Sequence, residues 1–467
     1  MSIAASHLSA PALSDTARPA DTHAHPNAWG LLAICVGMFM VTFDGVALNL
    51  ALPTIQHEWQ GTVSQLEWVV TAYTLPLASL LLTTGALGDR WGARRLFIGS
   101  LLAFAAASLC CALSPSLPWL VFSRVLQGVA AAGLLPMVLS LVVKQWRDKT
   151  VRARAVNTLA IAGSLAMVIG PFGGGWMTQA LGWPSIFLIN LPIGLTGAWL
   201  AYRYLPETPR RQVSLDLPGA AVGTLALTAL IAGLIESNAL GRTHPLVLGL
   251  VAAGVAGLIA FLWIESRVRH PMLPLAVFHS RAFSAAVAGG FAFQFSCYGL
   301  LFMLAIFVQR AWQVTPLQAG LLLLPFAVAM ILTTLVLNPW LLKRGARWML
   351  WAGASWACLG GVVSLGISTP DTWPVLVLGT VLIAIGTGIY SPTLNVVATT
   401  TVDAAYAGLA SGVYNTARQI GMAMGIAILG SLVGGAIPAL IGLRIGMLLI
   451  SACLVAIVAL TLRYIDG

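Results

Sequence analysis

The chain has 467 residues, of which 59% are hydrophobic and only 8% are charged, and its net charge is +10. Ordinary soluble domains carry roughly a quarter charged residues, so this composition excludes a soluble globular protein. The basic residues lie in short clusters between apolar stretches and not on one exposed face, which argues against a nucleic-acid partner. The lipid bilayer is therefore the expected environment of most of the chain.

The predicted elements are a tail and a series of apolar helices. Residues 1–27 are rich in Ser, Ala, Pro, Asp and His and lack the basic-then-apolar order of a signal peptide, which predicts a disordered cytoplasmic tail. The apolar stretches that follow are about twenty residues or longer and are separated by short polar breaks, which predicts fourteen transmembrane helices. Their predicted ranges are 28–51, 66–87, 96–114, 117–142, 156–181, 184–204, 217–236, 245–264, 283–309, 317–341, 347–367, 373–397, 405–434 and 438–463.

The distribution of basic residues predicts the orientation of the chain. With both termini in the cytoplasm, only Arg242 and Arg310 of the 24 Lys and Arg residues fall in outer connections. Three more, Arg124, Arg418 and Arg444, fall within helices, which leaves 19 on the cytoplasmic side. The positive-inside rule therefore predicts cytoplasmic termini and a multi-pass protein of the inner (plasma) membrane.

An internal repeat relates two parts of the chain. GALGDRWGARRLF (Gly85–Phe97) and NPWLLKRGARWML (Asn338–Leu350) each join two predicted helices on the same side, and the second copy lacks the acid. Repeated halves are common in secondary transporters. We therefore predict an all-α polytopic membrane protein with an N-terminal six-helix bundle at 28–204, a linker with two inserted helices at 205–270 and a C-terminal six-helix bundle at 271–467.

The first predicted helix contains Asp44, the acid that lies well inside a span, whereas the other acids, Glu67 among them, lie near span ends. A charge facing lipid is costly, so we expect Asp44 to face the protein interior and to exchange protons. Arg124 in the fourth helix lies at a similar depth, roughly 10 Å from the outer end of its helix, so the two side chains are expected to meet. Two alternatives stay open: a permanent structural ion pair, and an Arg124 that extends to the outer interface.

Two glycine-containing segments have the composition expected where packed helices move relative to each other during a conformational change. In GALGDRWGARR, Gly85 and Gly92 permit a tight turn, Asp89 can cap a helix or pair across the interface between the halves, and the arginines suit an anionic leaflet. The fifth helix carries GPFGGGW (Gly170–Trp176), in which the glycines allow close packing and Pro171 a bend. We interpret this segment as a flexible seam between helices.

Several signatures of catalysis are absent from the sequence. It contains no G-x-x-x-x-G-K-[ST] phosphate loop, no H-E-x-x-H and no G-x-S-x-G, and the predicted loops are too short for a soluble catalytic domain. The six cysteines lie inside apolar spans without metal-ligand spacing. We therefore expect no enzymatic activity, no metal and no cofactor. Transport driven by an ion gradient is the function class that these absences leave.

The quoted motifs resemble those of the major facilitator superfamily. GALGDRWGARR resembles the family's signature loop, RVLQGVAAAG its helix 4 motif with a buried arginine, and GPFGGGW the motif of its antiporter branches. FDGVALNLALP, with Val46 in place of the usual threonine, is similar to the first-helix motif of the fourteen-helix drug:proton antiporter branch. Together with WPSIFLINLPIG and AGLASGVYNTARQIG, the resemblance covers the chain from about residue 30 to residue 463 and implies the major facilitator fold.

The motifs and their resemblance imply roles for individual residues. Proton coupling is expected of Asp44 and Arg124. Conformational gating is expected of Gly85, Asp89, Arg90, Gly92, Arg94, Gly170, Pro171, Gly174 and Gly175. The candidates for the substrate cavity are Asn49, Gln127, Tyr414, Asn415 and Arg418.

The predicted function is proton-coupled export of small lipophilic compounds or drugs by alternating access. The alternatives are a dedicated exporter of one metabolite, such as a self-made antibiotic, and a membrane sensor that does not transport. The expected partners are the substrate, protons and the lipid bilayer, and a periplasmic adaptor protein is left open beside a monomer. Because the last six helices contain no acid away from their ends, we expect neutral, monocationic or weakly anionic substrates and not dications.

Reporter fusions test the predicted orientation. We expect fusions at Ala20 and Gly467 to report a cytoplasmic location, because 19 basic residues lie on that side and two on the other. A fusion next to Arg242 is the control and is expected to report a periplasmic location. A periplasmic signal from either terminal fusion would show that the orientation is wrong.

Overall fold

The computed structural model describes residues 28–146, 148–208, 210, 216–241, 243–268, 273, 275–341, 344–402, 407–434 and 438–464, so the predicted tail 1–27 lies outside the described residues. Within these ranges the chain is helical and contains no strand. The long helices are α1 (Ala28–Trp59), α2 (Val63–Trp91), α3 (Ala93–Ala112), α4 (Leu117–Gln145), α5 (Lys149–Leu181), α6 (Ser185–Tyr204), α7 (Leu217–Leu240), α8 (Pro245–Glu265), α9 (Arg281–Ala311), α10 (Pro316–Leu337), α11 (Ala346–Ser364), α12 (Trp373–Thr400), α13 (Ala407–Gly434) and α14 (Ala439–Tyr464).

Each of the fourteen predicted helices has a counterpart among these fourteen. Thirteen of the described helices are long and apolar enough to cross a membrane. The other one, α11, has 19 residues and packs against α12 and α14. The prediction of an all-α polytopic membrane protein is therefore confirmed.

The end of α1 differs from the prediction. The helix continues through Pro53 to Trp59, eight residues beyond the predicted end. A proline removes only one intrahelical hydrogen bond, and neighbouring helices stabilise such sites in membrane bundles. The helix ends where Gln60 adopts a φ of 51° and the Gly61 amide donates to the carbonyl of Gln56 at 3.1 Å. Asp44 consequently lies near the middle of α1 and not near its outer end.

The first three helices of the two six-helix halves repeat in a constant register. α9 begins 253 residues after α1 (281 against 28), α10 begins 253 after α2 (316 against 63) and α11 begins 253 after α3 (346 against 93). Gly92 and Gly345 precede α3 and α11 with φ values of 98° and 90°, which glycine adopts without strain. Thr62 and Thr315 each form a capping box at the start of α2 and α10. The exact limits of the linker, 205–270, stay a prediction.

The halves meet mainly along two helix pairs, and α1 also contacts α9. α2 packs against α13, and α5 packs against α10. We call the end of the molecule where α1 begins and α14 ends the N/C face, and the other end the opposite face. An apolar core made only of N-terminal-half residues lies toward the N/C face, whereas the core near the opposite face contains residues of both halves. The halves are therefore joined at the opposite face.

The two inserted helices are central in sequence but peripheral in space. α7 packs against α2 and α13, where Leu75, Leu227, Ile231 and Ala427 form a small apolar cluster. α8 packs on α7 and is mostly exposed. The pair therefore covers one of the two seams between the halves.

The α5–α10 contact predicts a result for glycine substitution. A Cβ atom added to Gly320 of α10 would overlap the carbonyl oxygen of Pro171 in α5, whereas one added to Gly99 of α3 would meet nothing within 4 Å. We expect Gly320→Ala to separate α5 from α10 and to increase several-fold the labelling of a cysteine introduced at Leu317 by a membrane-impermeant maleimide. Gly99→Ala is the matched control, and equal labelling in both variants would contradict the prediction.

Candidate functional site

A buried ion pair lies inside the N-terminal half. Nη1 of Arg124 in α4 lies 2.5 Å from Oδ2 of Asp44 in α1, and neither side chain has any exposed surface. The expected meeting of these two residues is therefore observed. Arg124 does not extend to the interface, which excludes that alternative.

Amide and hydroxyl groups complete the shell around the Asp44 carboxylate. Gln127 donates from Nε2 to Asp44 Oδ1 and to Ser108 Oγ, both at 2.9 Å, and it accepts at Oε1 from Arg124 at 2.6 Å. Asn190, at the break in α6, donates to Asp44 Oδ1 at 3.5 Å and to Ser108 at 3.3 Å. Gln127 is fully buried and uses its polar atoms here, so its role in the substrate cavity stays a prediction.

Arg124 has partners besides the carboxylate. Its Nε donates to the carbonyl of Val69 in α2 at 3.1 Å, and its guanidinium lies 4.2 Å from the ring centre of Tyr73 and 5.8 Å from that of Phe187. Carbonyl and aromatic contacts stabilise a desolvated cation without a second acid. The arginine can therefore keep α2, α4 and α6 together when its contact with Asp44 changes.

The glycine segment of α5 lies between two helices. One side of it contacts α1 beside Asp44, and the other side contacts α10 of the C-terminal half. Cβ atoms added to Gly170 and Gly174 would lie 3.1 Å from Val46 and 2.8 Å from Ala47, the residues that follow Asp44 on α1. A Cβ atom on the neighbouring Gly175 would lie 2.5 Å from the carbonyl oxygen of Pro316 in α10. A displacement of α1 near Asp44 would therefore displace α5 and change its contact with α10 at the interface between the halves.

The loop between α2 and α3 makes its contacts within the N-terminal half. Asp89 accepts from Lys144 of α4 at 2.8 Å, and Arg94 pairs with Glu207 at 3.3 Å and donates to the carbonyl oxygens at the end of α6. Arg90 is exposed. The expected contact of Asp89 across the halves is not the one observed, because α4 ends beside α2 and presents its lysine there.

The C-terminal half contributes a different group of polar side chains. Nη1 of Arg418 in α13 donates to Asn415 Oδ1 at 3.3 Å, and its guanidinium lies 5.5 Å from the ring of Phe293 and 5.8 Å from that of Tyr414. The Tyr414 hydroxyl and the side-chain oxygen of Gln294 are buried without a hydrogen-bond partner among the described residues. Buried polar groups are usually hydrogen-bonded in native proteins, so this part of α9 and α13 is less completely paired than the Asp44 network.

The substrate-cavity candidates are only partly brought together. Tyr414, Asn415 and Arg418 lie on one stretch of α13. Asn49 is buried in α1, and its Oδ1 has no hydrogen-bond partner among the described residues. A Cβ atom on Gly45 of α1 would lie 3.8 Å from Met422, one turn beyond Arg418, so α1 and α13 approach each other at the level of Asp44.

Sequence reasoning missed several residues of the site. Ser108 and Asn190 bind the Asp44 network, and a polar residue within WPSIFLINLPIG was the signal that could have found Asn190. Glu67, expected near a helix end, is fully buried, and its Oε1 would lie 2.9 Å from a Cβ atom added to Gly430 of α13. The α2–α13 contact covers it, and this contact is not visible in the sequence.

Comparison with protein families places most of the chain in one group. The profile of the Major Facilitator Superfamily matches residues 34–217 and 286–466. The gap between the two matched segments contains α7 and α8. The two matched segments thus correspond to the repeated halves.

Individual proteins agree with this match. The chain is 36% identical over 414 residues, 87% of its length and 85% of the relative's, to the methylenomycin A resistance protein of Streptomyces coelicolor. It is 31% identical over 86% of its length, and 75% of the relative's, to the multidrug resistance protein Stp of Mycobacterium tuberculosis. An auto-inhibited POT family peptide transporter superposes with a TM-score of 0.65 at 17% identity, covering 94% of this chain and 97% of that one, which supports the fold.

The Asp89–Lys144 contact gives a test of the loop. The pair is partly exposed and contributes at most about 1 kcal/mol, so Asp89→Asn and Lys144→Gln are expected to unfold within a few degrees of the unmodified protein. If Asp89 has a second partner during transport, Asp89→Asn slows substrate efflux several-fold more than Lys144→Gln does. Equal efflux from the two variants would limit Asp89 to the contact with Lys144.

Proposed function

The chain belongs to the major facilitator superfamily, and we propose that it exports small lipophilic compounds across the inner membrane in exchange for protons, as a member of the fourteen-helix drug:proton antiporter branch. The ion pair of Asp44 and Arg124 carries this proposal, because a buried acid with a movable counter-ion is what coupling to protons requires. The fourteen helices and the first-helix motif FDGVALNLALP support the branch.

Resistance to toxic compounds is the property for which the relatives are named, and export of those compounds would account for it. One is named for resistance to methylenomycin A and another for multidrug resistance. A relative named for a single antibiotic also favours the second candidate, a dedicated exporter of one metabolite. A sensor that does not transport is disfavoured, since the ion pair and the glycine seam are both in place.

Protonation of Asp44 offers a route from the proton to the conformational change. A neutral Asp44 no longer attracts Arg124, which keeps Gln127, the Val69 carbonyl and the Tyr73 ring. α1 is then free to move relative to α4. Because α5 contacts α1 beside Asp44 and α10 on its other side, such a movement loosens the contact between the halves.

The contacts at the opposite face support a closed outer gate. Gln309 of α9 donates to the carbonyl of Leu50 in α1 at 3.3 Å, and Arg310 donates to Gln56 of the same helix. With cytoplasmic termini, this face is periplasmic. Proton entry and substrate release would then require separation of α1 from α9 and of α5 from α10.

The remaining parts of the proposal concern energy source and partners. The proton gradient supplies the energy, without a bound cofactor and without enzymatic chemistry. The protein acts in the inner membrane with both termini in the cytoplasm, as a monomer or together with a periplasmic adaptor. Protons, the lipid bilayer and the exported compound are its partners.

Substitution of Asp44 tests the coupling. In proteoliposomes that contain a pH-sensitive dye, Asp44→Asn is expected to reduce substrate-induced proton movement to the level of protein-free liposomes, because the amide cannot exchange a proton at this site. The variant is also expected to unfold at a lower temperature, since it leaves Arg124 without a buried counter-charge.

Two further variants complete this experiment. Asp371→Asn, in the exposed turn before α12, is the control and is expected to retain the original rate. Asp44→Glu keeps the charge and is expected to retain measurable coupling. Proton movement at the original rate in folded Asp44→Asn would exclude Asp44 as the proton carrier.

A further inference from the structure

Arg418 is a cation within a span that has no acidic partner. The ion pairs among the described residues join Asp44 to Arg124, Asp89 to Lys144, and Glu207 to Arg94 and Arg95. Arg418 takes part in none of them, and its Nε is buried without a hydrogen bond to any described residue. Its one side-chain hydrogen bond in the described part of the chain is the 3.3 Å contact with Asn415.

None of the acids that the structure describes forms an ion pair with this arginine. Between residues 281 and 464 the sequence contains only two acids, Asp371 in the turn before α12 and Asp403, which lies outside the described residues. In the N-terminal half, Asp44 is already paired with Arg124. Glu67 lies beside Gly430, twelve residues from Arg418 along α13, which corresponds to about 18 Å.

The position of Arg418 suits contact with a substrate. Residues four apart share one face of a helix, so Arg418 points along the face that carries Met422, the residue that approaches α1 beside Asp44. The rings of Phe293 and Tyr414 flank the guanidinium. A cation flanked by aromatic rings, one helical turn from the approach of α1 to α13, matches an amphipathic molecule that carries a single negative group.

We propose that Arg418 binds the carboxylate of the exported compound, so that this transporter selects small lipophilic monoanions over cations of the same shape. The inference rests on the proposed export function and narrows its substrate class. A guanidinium binds a carboxylate through two parallel hydrogen bonds, and its attraction is strongest where water is excluded. Aromatic rings alone compensate the charge only in part.

Three probes with one ring system test the charge preference. The dissociation constants of 2-naphthaleneacetate, 2-naphthaleneacetamide and (2-naphthylmethyl)trimethylammonium are measured by calorimetry on the full chain in lipid nanodiscs. We expect the acetate to bind at least about tenfold more tightly than the cation, which corresponds to about 1.4 kcal/mol. An acetate that binds no more tightly than the amide, or does not bind at millimolar concentration, overturns the proposal without any variant.

Variants then assign the preference to Arg418. Arg418→Gln is expected to weaken acetate binding about tenfold and to leave amide binding within twofold, whereas Arg418→Lys retains part of the preference. Arg444→Gln, an exposed arginine in α14, is the matched control and is expected to change none of the three constants. Equal weakening of all three probes by Arg418→Gln would indicate a structural role and overturn the assignment.

The outcome is separable from that of the export proposal. If the unmodified protein moves protons on addition of the amide or the cation but shows no preference for the acetate, export stands and the inference on charge fails. If none of the three compounds moves protons although the acetate binds as expected, the binding site stands and the export proposal fails.

Discussion

The cost of placing a charge inside a membrane explains how the N-terminal half is built. Asp44 and Arg124 are both fully buried, and each would be destabilising alone. Gln127 and Asn190 therefore donate to the carboxylate, and Ser108 accepts from both amides. The Val69 carbonyl and two aromatic rings bind the guanidinium. These groups come from α1, α2, α3, α4 and α6, so satisfying one ion pair fixes the relative positions of five helices. A change in the charge of Asp44 consequently acts on the packing of the whole half.

The two halves have the same arrangement of helices but different buried charged residues. α9 is offset from α1 by 253 residues, so the position of Asp44 corresponds to Cys297, and α12 is offset from α4 by 256 residues (373 against 117), so the position of Arg124 corresponds to Thr380. The C-terminal half therefore has no equivalent ion pair. It has Arg418 instead, about one turn of α13 from the level at which α1 approaches Met422. The repeat provides the two rocking bodies that alternating access requires. In the proposed mechanism, the differences between the copies place proton exchange in the N-terminal half and substrate contact in the C-terminal half.

Charged residues in apolar stretches were the most predictable part of the molecule. Asp44 and Arg124 could be paired from sequence, because each is costly alone and their positions along the helices fell at similar depths. The neutral residue Asn190 was missed, since a single amide in a span has no comparable cost and its partners lie on other helices. The C-terminal end of α1 was also predicted too early. A proline ends a helix more often in water than in a membrane bundle, and α1 continues through Pro53 to Trp59. The partner of Asp89 depends on where α4 ends relative to α2, and helix ends are the least reliable part of any sequence prediction.

The proposed selection of anions has an energetic consequence for the proposed antiport. The interior of the cell is electrically negative, and moving one elementary charge across the membrane is worth about 2.3 kcal/mol per 100 mV. When a monoanion leaves and a proton enters, both movements are driven by this potential. When a monocation leaves instead, its charge cancels that of the proton, and only the pH gradient remains as a driving force. If an arginine selects anions, each exchanged proton can therefore support a steeper concentration gradient of the substrate. The same arginine would disfavour monocations, whose exchange for a proton has the smaller driving force.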